Sequence, residues 1–477
     1  MIIGMVKVRI DSHLRVRKAD LPPGHEVAIK QRLTIPNGAR LAAIKRKQWG
    51  AHDMAESIFL YRDEGPVLVM PRGFAAELRA GLESTGHKIS WNDQTAAPSL
   101  PLLELIHQGP TLHPDQELAC RAILNHRQGI LQAPTGSGKT VVVLEAWRRS
   151  GVPGLILVEK AGLAKQWRER AREHLGIETG MIGEGEWDEK PLTIAMMQTL
   201  HRREINEIWW RRRGFVAADE CHHLVAETYS AVVSQVCSRW FVGVTATPLE
   251  GEWTQPLLTR SLGPIIHITS DEVLRKSGRK VAPLIKRVET GFRWEPQDAR
   301  DENLIDTKVI YRRIIAALKT DEARVLRIAQ KIAAQPAECA QLVTAKQLSY
   351  LDLLAAALEQ EGYGGEIYMM RGSESGDRRD QIARLADEGG CVIFATVADE
   401  GVDIPRLDRL HLTWPGKLER DLQQKIGRVL RVHPDKRETI VFDYVDAEGM
   451  LANQARLRMN FYRRAGYAIE QERAHVA

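Results

Sequence analysis

"ILQAPTGSGKT", residues 130–140, is a short apolar run, then a Gly-rich turn, then the first residues of the amphipathic stretch "KTVVVLEAWRR". Strand, turn and helix in that order form a phosphate cradle. The backbone N–H groups of Gly136, Ser137 and Gly138 can wrap a phosphate because glycine permits the tight approach. The helix N-terminus adds its partial positive charge. Lys139 would reach the β- and γ-phosphates and Thr140 would ligate Mg²⁺, with Thr135 in the same loop. The pattern departs from G-x-x-x-x-G-K-[ST] at its first position, Ala133. The competing reading is an ordinary strand-to-helix turn; the strand before and the helix after argue against it.

Outward from the loop the same alternation continues. "GILQA", "GLILV", "LTIAMM", "FVAAD" and "WFVGVTAT" are short apolar runs separated by helical stretches such as "AGLAKQWRERAREHL". That is the pattern of βαβ units with a buried parallel sheet. It repeats downstream with "AQLVTA", "EIYMM", "CVIFATV", "LHLTW" and "TIVFDYV" as strands. The expected fold class is α/β, with two consecutive parallel-sheet domains at 109–270 and 271–477 and a smaller α+β domain at 1–108. In that first region "HEVAIKQRLTI" and "GPVLVMPRG" read as strands. "TAAPSLPLLELIHQGP" reads as a linker, broken by Pro98, Pro101 and Pro110.

A chain of 477 residues suits roughly two to four domains and can bury large cores. No apolar run approaches the roughly 20 residues of a membrane span, so no membrane partner is expected. The N-terminus is charged too soon for a secretory signal. Five scattered cysteines without a C-x-x-C fit a reduced protein, with the cytoplasm as the expected compartment. Residues 1–110 hold 15 Lys or Arg against 11 Asp or Glu, most of the formal excess of +5. That excess is either a solvated basic face or a polyanion contact.

"FVAADECHHLVAET", residues 215–228, ends a buried strand in Asp219, Glu220, Cys221, His222 and His223. A phosphate loop needs a carboxylate for its metal and a base for the attacking water. Asp219 suits the first task and Glu220 the second. Zinc is the runner-up. It needs further Cys or His at ligand spacing, and only Cys237 lies nearby. His222 is then a polar link between this strand end and its neighbours.

"APTGSGKT", "DECH" and "TATP" in this order resemble motifs I, II and III of superfamily 2 helicases and translocases. "FATVADEGVDIP" resembles motif V and "QQKIGRVLR" resembles motif VI, Q-x-x-G-R-x-x-R. "LHPDQELACRAIL" resembles the adenine-reading motif, with Gln116 as reader. The resemblance covers residues 110–450 and is most similar to the XPB, UvsW and RadD-like DNA motors. It implies two RecA-like domains and catalytic Glu220, Gln424, Arg428 and Arg431, the arginines acting on ATP from the second domain. It also implies nucleotide contacts at Gly401 and Asp403, and coupling through His222, Thr245 and Thr247. Strand contacts would fall at Lys160, Thr344 and Thr396. The expected activity is ATP- and Mg²⁺-dependent movement on duplex, branched or single-stranded DNA, 3′ to 5′. An RNA helicase and an ATP-switched binding factor that never travels are the alternatives.

Two stretches depart from the family pattern. "LVEKAGLAKQW" carries Glu159-Lys160 where Pro-Thr is common, so any grip there is by a point charge. Leu249 and Glu250 follow "TATP" where an arginine often stands. "HRREINEIWWRRRG" places Trp209 and Trp210 among arginines; they either stack on bases or are buried beneath a solvated arginine rim, and burial is preferred. "NQARLRMNFYRRAGYAIEQERA" reads as one amphipathic basic helix.

Overall fold

The computed structural model describes residues 5–45, 49–98, 109–225, 227–246, 254–294, 307–371, 376–396, 404–416, 419–446 and 449–472. The chain divides into two compact units, Met1–Ser270 and Asp271–Ala477.

The first unit opens with strands β1 (Met5–Ile10), β2 (His13–Arg17), β3 (Thr34–Pro36), β4 (Ser57–Phe59), β5 (Arg62–Glu64), β6 (Val67–Pro71) and β7 (Lys88–Asp93). Five of them form a mixed sheet in the order β5-β6-β2-β1-β7; β3 and β4 pair separately. The alternation in "MVKVRI" and "HLRVR" turns Val6, Val8, Leu14 and Val16 inward. Residues 25–32, expected as a strand, are a helix, His25–Arg32. Ile29 and Leu33, four apart, are both buried, while Val27 is exposed. Lys30 Nζ meets Glu26 at 2.7 Å across one helical turn. The i,i+4 period therefore prevails over the period of two.

The rest of this unit is an eight-stranded sheet. Its strands are β8 (Gln128–Gln132), β9 (Gly154–Val158), β10 (Gly180–Gly183), β11 (Glu186–Asp188), β12 (Leu192–Met196), β13 (Phe215–Ala218), β14 (Trp240–Thr245) and β15 (Ile265–Ile268). The order is β11-β10-β12-β9-β13-β14-β8-β15, parallel except for the β10–β11 hairpin. Every residue of β9 and β13 is buried, as a parallel sheet covered on both faces requires.

The small N-terminal sheet is seated on this one. The Arg72 guanidinium is buried and donates to the carbonyls of Val236 (3.3 Å) and Ser238 (2.8 Å). Ala96 N donates to Cys237 O, and Arg239 N to Ala96 O, each at 2.7 Å. The start of the expected linker is thus tied down; residues 99–108 of it lie outside the described residues.

The second unit is a seven-stranded, wholly parallel sheet. Its strands are β16 (Leu284–Glu289), β17 (Ala340–Ala345), β18 (Glu366–Met370), β19 (Cys391–Thr396), β20 (Arg409–Leu412), β21 (Ile440–Val445) and β22 (Ala468–Glu472), in the order β18-β19-β17-β20-β21-β16-β22. The single C-terminal helix expected over residues 453–474 is instead a helix, Gly449–Arg464, followed by strand β22. Gly466, at φ 66°, ends the helix in a left-handed turn, and Ala468–Glu472 then pairs along β16.

Candidate active site

Strands β9, β13, β14 and β8 are consecutive neighbours in the first sheet, and all four are parallel. Whatever follows each strand therefore emerges at one carboxyl edge, where open α/β sheets bind ligands. Glu159 and Lys160 follow β9, Asp219 and Glu220 follow β13, Thr245 ends β14, and the loop 133–138 follows β8.

The loop turns on Gly136 (φ 82°) and Gly138 (φ 81°), the latter capping the helix Lys139–Ser150. A Cβ at Gly138 would lie 2.3 Å from the Gln116 amide nitrogen. That nitrogen donates to Ser137 O at 2.9 Å, and Gln116 Oε1 accepts from His113 N at 3.0 Å. Gln116 thus braces the loop and caps its own helix, with one N–H and one lone pair left for a base. Lys139 Nζ donates to Pro134 O at 3.3 Å. Thr140 is half-buried in the first helical turn, and Thr135 is half-buried in the loop.

The carboxylates are held individually. Asp219 is nearly buried; its Oδ1 accepts from Glu220 N (2.9 Å) and its Oδ2 from the Trp167 indole (2.8 Å). Burial, together with the adjacent Glu220 charge, pushes the Asp219 carboxyl up, against the pull of Trp167 and Lys139. Burial also opposes Glu220, but the His222 hydrogen bond and the Lys139 charge prevail and hold its carboxyl below the usual range. Glu220 sits at φ 46°, a left-handed conformation that costs a non-glycine residue of order 1 kcal/mol. His222 Nδ1 lies 2.9 Å from Thr245 Oγ1 and 3.2 Å from Glu220 Oε2, which joins the ends of β13 and β14. The His223 ring packs 4.2 Å from that of His222, and its Nε2 lies 3.7 Å from Glu159.

A buried carboxylate that keeps a lone pair on each oxygen, at the same sheet edge as a phosphate loop, suits a hard oxygen-seeking cation. Asp219 and Thr140 therefore fit Mg²⁺. Cys221 is fully buried in the apolar cluster with Val232, Val236 and Leu262. Burial raises its thiol well above the ordinary range.

The remaining expected residues are dispersed. Lys160 is exposed and is the N-cap of the helix Ala161–Leu175. Thr344 is buried inside the second sheet and its hydroxyl donates to His411 O at 3.3 Å; it is an internal strut and does not present that hydroxyl to solvent. Thr396 is half-buried at the end of β19. Gln424 and Arg428 lie on the helix Glu419–Val429, with their side chains outside the description. Arg431 follows that helix and is half-buried. Thr247, Gly401 and Asp403 lie outside the described residues.

The helix end beside Arg431 is pinned. The Val429 carbonyl accepts from Lys436 Nζ (3.1 Å) and Thr439 Oγ1 (3.3 Å), Leu430 O from Val281 N (3.0 Å), and Arg431 O from Lys436 Nζ (2.8 Å). Trp209 and Trp210 are buried, as preferred, and the Arg213 guanidinium lies 4.6 Å from the Trp209 ring. The basic N-terminal residues are largely paired: Lys18 and Lys30 share Asp63 (2.6 and 2.9 Å), and Arg40 meets Glu56 at 3.0 Å. Lys7, Arg79 and Lys88 have no acidic partner among the described residues.

Trp167 is the site residue that sequence reasoning missed. The inward spacing of Ala164, Trp167 and Ala171 marks the face of a buried helix. Nothing in that spacing says that the indole ends on Asp219.

Residues 110–250 match the family described as type III restriction enzyme, res subunit. The DNA 3′-5′ translocase XPB2 of Sulfurisphaera tokodaii is 27% identical over 374 residues, 71% of this chain and 82% of the relative. The DNA 3′-5′ helicase XPB of Kineococcus radiotolerans is 24% identical over 486 residues, 96% of this chain and 84% of the relative. Among solved structures, S. cerevisiae Dbp5 bound to RNA and ADP BeF3 matches with a TM-score of 0.55 at 14% identity, over 80% of this chain and 95% of that one. Its likeness speaks for the fold.

Two parallel sheets of the RecA type, with a phosphate loop and a DECH strand end at one edge of the first, are similar to the arrangement of superfamily 2 helicases and translocases. Within that superfamily the chain is most similar to the XPB-type translocases and helicases.

Proposed function

We propose that this chain is an ATP-hydrolysing motor that acts on DNA as a helicase or translocase, with 3′-to-5′ polarity. The observation that carries this reading is the row of strand ends at one sheet edge: the loop 133–138, Asp219-Glu220 and Thr245, joined through His222. Lys139 and the loop N–H groups bind the phosphates, while Thr140 and Asp219 hold Mg²⁺. When bound, that ion would neutralise phosphate charge. Glu220, kept ionised beside Lys139 and His222, accepts the proton of the attacking water. By their place in the Q-x-x-G-R-x-x-R pattern, Arg428 and Arg431 would supply positive charge to the transition state, with Gln424 in the same pattern.

His222 is the coupling element. Its Nδ1 faces both the base and the Thr245 hydroxyl, so a change in the charge on Glu220 is felt at the end of β14, two residues before Thr247 in the sequence. Lys160 and Thr396 are the proposed strand contacts. The N-terminal sheet adds phosphate contacts through Lys7 and Lys88.

ATP turnover measured with duplex DNA, single-stranded DNA and RNA of equal length tests the reading. Stimulation by DNA well above that by RNA is expected. Stimulation by RNA alone would assign the chain to RNA.

A further inference from the structure

Among the described residues each oxygen of Asp219 has a single protein donor, and the two donors differ in kind. Glu220 N holds Oδ1 from the adjacent peptide, so that contact accompanies the backbone wherever it goes. Trp167 Nε1 holds Oδ2 across 52 residues of sequence, from a side chain 2% exposed on the helix Ala161–Leu175. Without the indole, the Glu220 N–H is the one remaining donor, among the described residues, that restrains rotation of the carboxylate about its Cβ–Cγ bond. The apolar cluster around the ring, with Val158, Ala164 and Ala171, fixes the indole, so the orientation it imposes is rigid. Indole is a donor only; it cannot ligate a cation or exchange a proton with the nucleotide.

We propose that Trp167 is a positioning residue for divalent-cation binding: its N–H locks the Asp219 carboxylate in the one rotation that presents an oxygen to the metal of Mg·ATP. The inference rests on the reading that Asp219 holds the metal. Outer-shell donors of this kind typically change metal affinity or activity by about 10- to 100-fold when removed.

The test compares Trp167→Phe, which removes the donor and keeps an aromatic ring, with Asp219→Asn, in the full-length protein. Mn²⁺ binding in the presence of ADP is read by electron paramagnetic resonance, and apparent Mg²⁺ affinity by titrating ATP turnover. β-(3-Benzothienyl)alanine introduced at position 167 by codon suppression keeps the indole shape without the N–H and separates hydrogen bonding from packing. The expected result is Mn²⁺ affinity about 10-fold weaker or more for both Trp167 replacements. ADP affinity in EDTA and the melting temperature of the benzothienyl protein should stay at wild-type values. If Asp219→Asn abolishes Mn²⁺ binding and the benzothienyl protein binds it as wild type does, the positioning role is refuted while the site stands. If Asp219→Asn leaves Mn²⁺ binding unchanged, the metal reading itself fails. A benzothienyl protein that loses ADP affinity in EDTA and Mn²⁺ affinity together would show a packing role and refute the proposal.

Discussion

Gly73→Ala is a direct probe of how the N-terminal sheet is seated on the ATP-binding sheet. A Cβ built at Gly73 lies 2.4 Å from Gly263 N and 2.5 Å from Arg260 O, both backbone atoms that no rotamer change can move. Ordinary contact needs about 1 Å more, so the seam must open by about that distance. Inserting one methyl into a closed seam costs about 1–3 kcal/mol. Opening it also stretches the bonds from Arg72 to Val236 O and Ser238 O, and an unsatisfied buried carbonyl adds about 1–3 kcal/mol. The expected total is roughly 2–6 kcal/mol, localised to the seam. Hydrogen exchange of peptides covering residues 67–83 and 254–268 should accelerate by more than tenfold, with peptides of the second unit unaffected. Gly81→Ala, in the helix Ala75–Glu83 with nothing within 4 Å of the new Cβ, is the control, expected to stabilise by about 0.5–1 kcal/mol. Wild-type exchange and melting in Gly73→Ala would refute the seating.

Glu220→Gln should keep ATP binding and lose nearly all hydrolysis, because the amide cannot accept the proton of the water; loss of ATP binding would make Glu220 structural. Arg431→Ala should lower turnover by about 10³ with little change in ATP affinity, as read by steady-state kinetics. Cys221→Ala should leave ATP turnover within about twofold, and elemental analysis of the wild-type protein should find no stoichiometric zinc. Buried His411, pushed down to about 3 by burial, accepts from the Tyr444 hydroxyl at Nδ1 and donates from Nε2 to Gln341 Oε1. Its folded pKa lies below the unfolded value near 6.5, so the unfolded chain binds the extra proton. Stability of the second unit should therefore fall as pH drops below 6.5, by roughly 2 kcal/mol at pH 5. Urea titrations should show that component missing in His411→Asn.

The centre of the first sheet was legible because burial and chemistry coincide there. β8, β9 and β13 are continuous apolar runs, and β8 and β13 end in residues whose types carry a mechanism. The second sheet was legible in the same way through β17, β19 and β21. Short edge elements were not: "GMIG" and "EWD" are too brief to show a period, and "AIEQE" pairs only because Gly466 turns the chain back along β16. "HEVAIKQR" misled because Val27 and Ile29 alternate like a strand while the packing pair is Ile29 with Leu33. Thr344 was carried over by motif position, and motif position says nothing of burial. Trp167 was invisible because its partner lies 52 residues away and is set by the order of β9 and β13.

The most direct test of the account is displacement of a third strand from a duplex carrying a triplex segment, with ATP, comparing the wild-type chain with Glu220→Gln. A DNA motor should strip the third strand in an ATP-dependent manner, and Glu220→Gln should bind the same DNA and leave the triplex intact. A triplex left in place by the wild-type chain, while the same duplex still accelerates its ATP turnover, would contradict translocation and leave an ATP-switched binding factor.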